Sequence, residues 1–98
     1  MNILIVQGPN LNLVGLRSAK SGEQVTMDKI NRSLRQQANK RPEELTLKIL
    51  QTHKIEKAIT TIHRNRNWAN GIILAPMAWA RYEYALRDCL DTIVMPTI

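Results

Sequence analysis

Apolar and polar positions along this chain follow two periods in alternation. Asn2-Ile-Leu-Ile-Val6 is a short, continuous apolar run that breaks into Gln7-Gly8-Pro9. Such a run, bounded by Gly-Pro, reads as a buried strand ending in a loop. Residues 16–25 are polar and contain Ser18, Lys20, Ser21 and Gly22. Thr26 can then cap a helix with Asp28 in its first turn. Met27, Ile30, Leu34 and Ala38 recur at helical spacing, with Lys29, Arg32, Gln36 and Lys40 on the opposite face. Asn39 and Pro42 mark the end of that helix. Leu45–Leu50 reads as a second strand. Ile55, Ala58, Ile59 and Ile62 mark a second amphipathic helix, with Arg64 and Arg66 suited to the negative pole of its dipole. Gly71-Ile-Ile-Leu74 is a third strand. Ala78, Tyr82, Ala85, Leu86 and Cys89 mark a third helix, and Thr92-Ile-Val-Met95 a fourth strand.

The order strand, helix, strand, helix, strand, helix, strand predicts an α/β fold with a parallel sheet and crossover helices. Crossovers of this kind are right-handed in nearly all proteins. A loop leaving the carboxyl end of a parallel strand is where open α/β sheets place ligands. The Gly8–Arg17 stretch is therefore the first place to look for a site.

Length and composition narrow the classes. Ninety-eight residues make a single domain, 1–98, with a thin core. No apolar run approaches the roughly 18 residues a membrane helix needs, and the start does not read as a signal peptide, so a cytoplasmic protein without a membrane role is expected. The single cysteine, Cys89, excludes an intrachain disulfide framework and reads as a small core residue on a helix. The net charge of +6 is uneven: residues 26–67 hold ten basic against four acidic residues, whereas residues 68–98 hold two against three. The middle block could attract a polyanion. Its charge is spread and no recognition motif accompanies it, so specific nucleic-acid binding is not expected. His53 and His63 lie far apart with no Cys/His/Asp cluster, so no metal is expected, and no cofactor motif is present.

Gly8-Pro-Asn-Leu-Asn-Leu13, followed by Gly15 and Arg17, resembles the amino-terminal motif of type II 3-dehydroquinate dehydratases. Gly71-Ile-Ile-Leu-Ala-Pro76 resembles the family's Gly-Ile-(Ile/Val)-(Ile/Leu)-Asn-Pro. Ala85-Leu-Arg-Asp88 matches the family's Ala-Leu-Arg-Asp, whose aspartate reaches a neighbouring subunit's site. The resemblance implies a flavodoxin-like three-layer sheet with strand order 2-1-3-4, lacking the family's fifth strand and last helix. It implies that the first helix covers one face and the other two the opposite face. The first-helix side of strands three and four is then bare, leaving Ile72 or Ile73, and Ile93 or Val94, in water. A second copy or another chain is expected to cover it. The family's own members are trimers within dodecamers.

The same resemblance implies ligand-pocket candidates at Asn10, Asn12, Arg17, Arg81 and Asp88, and no catalytic residue. In the family a lid tyrosine abstracts a proton, an asparagine holds a water against the enolate, and a histidine protonates the leaving hydroxyl. Here the tyrosine's place falls near Ser21, and no tyrosine occurs in 18–25. The asparagine position is Ala75. The family's Gly-(Ala/Gly)-(Tyr/Phe)-(Thr/Ser)-His becomes Met77-Ala-Trp-Ala-Arg81, and its Asn-His-Glu-Gly becomes His53-Lys-Ile-Glu56. A base must be titratable and within reach of its proton, and serine without an adjacent base is no substitute. The first expectation is therefore a catalytically inactive dehydroquinase-like protein acting through oligomerisation or partner binding. The alternatives are a lyase with residual or altered activity on a small anionic substrate near Arg17 and Arg81, and a basic nucleic-acid-binding module.

Overall fold

The computed structural model describes residues 1–13, 15, 25–81 and 83–98. Its sheet has three parallel strands: β1 (Asn2–Gln7), β2 (Thr46–Gln51) and β3 (Gly71–Ala75), in the order β2-β1-β3. β1 is central, with Ile5 beside Ile49 on one side and Ile73 on the other. Three helices with both ends among the described residues connect or follow the strands: α1 (Met27–Asn39), α2 (Ile55–Asn65) and α3 (Tyr84–Ile93).

Strand pleating divides β1 between two layers. Leu4 and Val6 join Ala58 and Ile62 of α2, Ile72 of β3, Leu86 and Cys89 of α3, and Trp79 in the buried core. Ile5 and Gln7 face the other layer, where the Gln7 side chain donates to Asn31 of α1. So α1 lies over one face of the sheet and α2 with α3 over the other, the flavodoxin-like layering the resemblance implied.

Local signals explain the helices that formed as expected. Thr26 is extended, and its hydroxyl accepts from the Lys29 amide at 3.2 Å, so α1 starts there. Met27, Ile30, Leu34 and Ala38 are each half-buried against the sheet, yet no residue of α1 is fully buried. At the other end of α2, the Arg66 guanidinium donates to the His63 carbonyl and satisfies an orphan acceptor. Trp68 closes the α2–β3 corner; its carbonyl accepts from the Asn2 side chain, and the Lys48 ammonium sits 4.1 Å above its ring.

Two sequence expectations require correction. Residues 77–81 form a 3-10 turn, not helix, and α3 begins only at Tyr84. Met77 has a left-handed backbone (φ 54°) and Glu83 is non-helical, so the run is broken at both ends. In addition, Thr92–Met95 is not a strand. Thr92 and Ile93 complete α3, because the Thr92 hydroxyl bonds back to the Asp88 carbonyl, and Leu90 and Ile93 continue the helical stripe onto the core. Val94 then ends the helix in the left-handed conformation. A short β-branched run fits either element, and here the helical period prevailed.

The pairing expected of a fourth strand occurs later. Ile72 donates to the Pro96 carbonyl at 2.9 Å and accepts from the Ile98 amide at 2.9 Å, and Leu74 donates to the Ile98 carbonyl at 2.8 Å. This is a single parallel bridge between Ile72 and Thr97, on the far side of β3 from β1. The position agrees with the order 2-1-3-4; the residues are shifted toward the chain's end. Of the pairs expected to leave one member in water, Ile73 (41 % exposed) and Val94 (83 %) are the exposed ones. Ile73 is bare because α1 does not reach over β3. Val94 is bare because it caps a helix.

Candidate functional site

The carboxyl ends of β1, β2 and β3 converge on the loop that follows β1. Gly8 donates its amide to the Ala75 carbonyl at 2.8 Å, which locks the β1 loop to the β3 loop. Its lack of a side chain is essential there, since a β-carbon would stand 2.5 Å from the Pro76 carbonyl oxygen. From the other flank the Gln51 amide donates to the Gly8 carbonyl at 3.1 Å. Thr52 donates its backbone amide to the Gln7 carbonyl at 3.0 Å, and its hydroxyl accepts from the Lys54 amide. The loop then turns through Asn10 (φ 70°) into a 3-10 turn, Leu11–Leu13, with the Leu13 amide bonded to the Asn10 carbonyl.

Asn10 and Asn12 are therefore neighbours on one exposed loop at the mouth of the sheet. Asparagine is among the few residues that take a left-handed backbone readily, so part of Asn10's role is to make this turn. Arg17 lies outside the described residues. Arg81 ends the 3-10 turn after β3 and is exposed. It lines a cleft of about 490 Å³ beside β3, with Leu74, Trp79, Leu86, Leu90 and Met95 as apolar lining. Asp88 is exposed on α3 and does not line that cleft. The five candidates thus divide: two share the β1 loop, one lines the cleft, one sits on α3 and one is undescribed.

Gln7 is the residue that pattern reading passed over. Its side chain is 2 % exposed and reaches Asn31 at 2.7 Å, while its Oε1 is buried with no hydrogen-bond partner among the described residues. An unpaired buried carbonyl is costly, which marks this contact between β1 and α1 as under-satisfied. A polar residue closing an apolar strand was the only signal for it in the sequence.

The described residues at this mouth offer few groups for acid–base chemistry. Ala75 offers only a methyl group and a carbonyl already engaged by Gly8. His53 is exposed just past β2. Among the described residues no group of three or more His, Cys, Asp or Glu side chains could hold a metal ion. Cys89 is buried, and burial, aided by the charge of Asp88, pushes its thiol above the usual range, so it remains protonated and unreactive near neutral pH. No helix among the described residues is long and apolar enough to cross a membrane.

Known proteins share both the sequence and this architecture. The family model described as dehydroquinase class II matches residues 1–98. The 3-dehydroquinate dehydratase of Pelotomaculum thermopropionicum is 35 % identical over the whole chain, which spans 67 % of that protein. That of Dictyoglomus turgidum is also 35 % identical, with 66 % of its length covered. The crystal structure of the type II dehydroquinase from Butyrivibrio crossotus superposes with a TM-score of 0.86 at 25 % identity, covering 98 % of this chain and 66 % of that one. The chain thus spans about two thirds of the length of the relatives it matches. On the match along its entire length and the layering of its sheet, the chain belongs to the class II dehydroquinase family.

Proposed function

We propose that this chain is a dehydroquinase-like protein that does not catalyse the dehydration and works instead through association, with copies of itself or with another protein. The observation that carries the reading is Ala75. It ends β3 at the mouth of the sheet, where the resemblance calls for an asparagine that positions a water. A methyl group cannot do so. The absence of a tyrosine between residues 18 and 25 removes the expected base, and Arg81 puts a permanent cation where the family has a histidine. The exposed Ile73 and Val94 supply apolar surface of the kind that partners cover.

The alternative, a residual or altered activity on a small anion near Arg17 and Arg81, draws on Arg81 among the described residues. That side chain shares its cleft with Arg87, Glu83 and Asp91, so cations and anions there balance. The nucleic-acid reading loses support from the layering, because the basic residues of α1 and α2 stand on opposite faces of the sheet.

The test is a dehydratase assay on 3-dehydroquinate, following the enone product by absorbance. General acid–base groups each contribute factors of roughly 10²–10⁴, not additively, so turnover is expected to be undetectable. A rate near the ~10 s⁻¹ of ordinary enzymes would overturn the proposal.

A further inference from the structure

If the chain works through association, the outer edge of β2 is a surface built to take a partner. We infer that this edge accepts an extended, acidic segment of another protein as an added strand. The inference rests on the association reading and adds the place of the partner and its chemistry.

Hydrogen-bond parity leaves this edge open. Thr46 donates its amide to the Met1 carbonyl at 2.9 Å, and Thr52 donates its amide to the Gln7 carbonyl at 3.0 Å. Backbone groups alternate sides along a strand, so Thr46, Lys48 and Leu50 turn theirs toward β1. Leu47, Ile49 and Gln51 turn theirs outward. Among the described residues β2 pairs with β1 alone, at the side of the sheet away from β3. The pairing stays in register along all 6 residues of β2, and neither a bulge nor a proline blunts the strand. A straight row of alternating donors and acceptors is what an incoming strand matches with its own main chain. Nucleic acid has no backbone of that spacing.

Side chains on both faces of the edge select the partner. On the α1 side, Leu45 and Leu47 line a groove of about 140 Å³ together with Ala38, Asn39 and Arg35. Arg35 is exposed there. On the α2 side, the Lys48 ammonium donates to the Asn65 side-chain oxygen at 3.1 Å and sits 4.1 Å above the Trp68 ring. That hold keeps a cation beside the edge without laying it across the backbone. An added strand points alternate side chains to the two faces of the sheet, so each of its faces meets a cation. Lysine on an edge strand ordinarily deters pairing between like chains. Here a second copy would bring its own net +6 of residues 26–67 to the contact and be repelled. A segment rich in Asp or Glu is drawn by the same charge. The nearest anions in sequence, Glu43 and Glu44, come before β2 rather than along it.

An amide-resolved NMR titration of the 98-residue chain tests the inference. The probe is a synthetic peptide that alternates glutamate with valine, N-methylated at every second amide so that it cannot pair with itself and keeps one edge free. The amides of Leu47, Ile49 and Gln51 are expected to shift and to gain protection from hydrogen exchange. Those of Thr46 and Lys48, already turned to β1, should keep the protection they have. Raising the salt from low to physiological strength should weaken binding roughly fivefold. Arg35→Glu, at an exposed position, should weaken it to a similar degree with the circular dichroism unchanged. A peptide with lysine in place of glutamate should not bind, nor should the glutamate peptide N-methylated throughout. Shifts confined to other elements, or equal binding of the lysine peptide, would overturn the inference. So would a single-stranded oligonucleotide that binds at the same amides more tightly than the peptide. No peptide binding by a chain that still associates in light scattering would overturn the acidic strand and leave the association reading standing. Dehydratase turnover would instead overturn the reading beneath it.

Discussion

Met77 holds a left-handed backbone at φ 54° directly after Pro76, where the family resemblance calls for glycine. The backbone takes a conformation that suits glycine, and the residue that takes it is methionine. For a residue with a β-carbon this conformation costs roughly 1–2 kcal/mol, and glycine gives back part of the gain as unfolded-state entropy. Met77→Gly is therefore expected to stabilise the fold by about 0.5–1 kcal/mol, read as a higher midpoint in urea. An unchanged or lower midpoint would mean that the Met77 side chain makes contacts worth as much as the strain. None of this was legible in the residue itself, because a methionine carries no mark of its backbone angle. Gln7 was hidden for the same reason: its burial depends on Asn31, which lies 24 residues further along the chain.

The elements were legible to the extent that local chemistry decided them. β1, β2, α1 and α2 stand within a residue or two of where period and caps placed them. Thr26 shows why: its cap is local and its effect does not wait on tertiary structure. Replacing it with alanine should cost about 1 kcal/mol, within a usual range of 0.5–2, and loosen the first turn of α1. The check is the thermal midpoint beside far-ultraviolet ellipticity, and a midpoint equal to wild type would show that the cap is idle. The region from Met77 to Met95 was misread because it depends on partners elsewhere. Trp79 is buried by the core rather than by its own helix, and Thr92–Val94 would suit a strand if Leu90 and Ile93 did not continue the stripe of α3.

Across the whole molecule the described fold is a thin slab, 41 × 38 × 17 Å. Its radius of gyration of 14.2 Å exceeds the roughly 13 Å expected of a compact chain this long. The α1 layer covers β1 and β2 but leaves β3 open, which is why Ile73 is exposed. Val94→Lys provides the test at this scale. The residue is already 83 % exposed, so the charge should leave the monomer folded and weaken self-association. Arg32→Glu, at an exposed position of α1, should change neither. Light scattering and circular dichroism on the two variants decide it; unfolding by Val94→Lys would show that the side chain is held against its own chain in solution.

The loose seat of α1 has a consequence for how the chain fails. A helix with no fully buried residue, held to β1 through a side-chain bond between Gln7 and Asn31, adds little to the cooperative unit formed by β1, β3, α2 and α3. Such a segment can lift away at a fraction of the global unfolding free energy. When it does, the Ile5 face of the central strand meets water while the rest of the sheet is intact, and apolar strand surface of this kind recruits other chains. Heating would then produce clumped protein below the melting temperature, from a species that has lost one helix and nothing else.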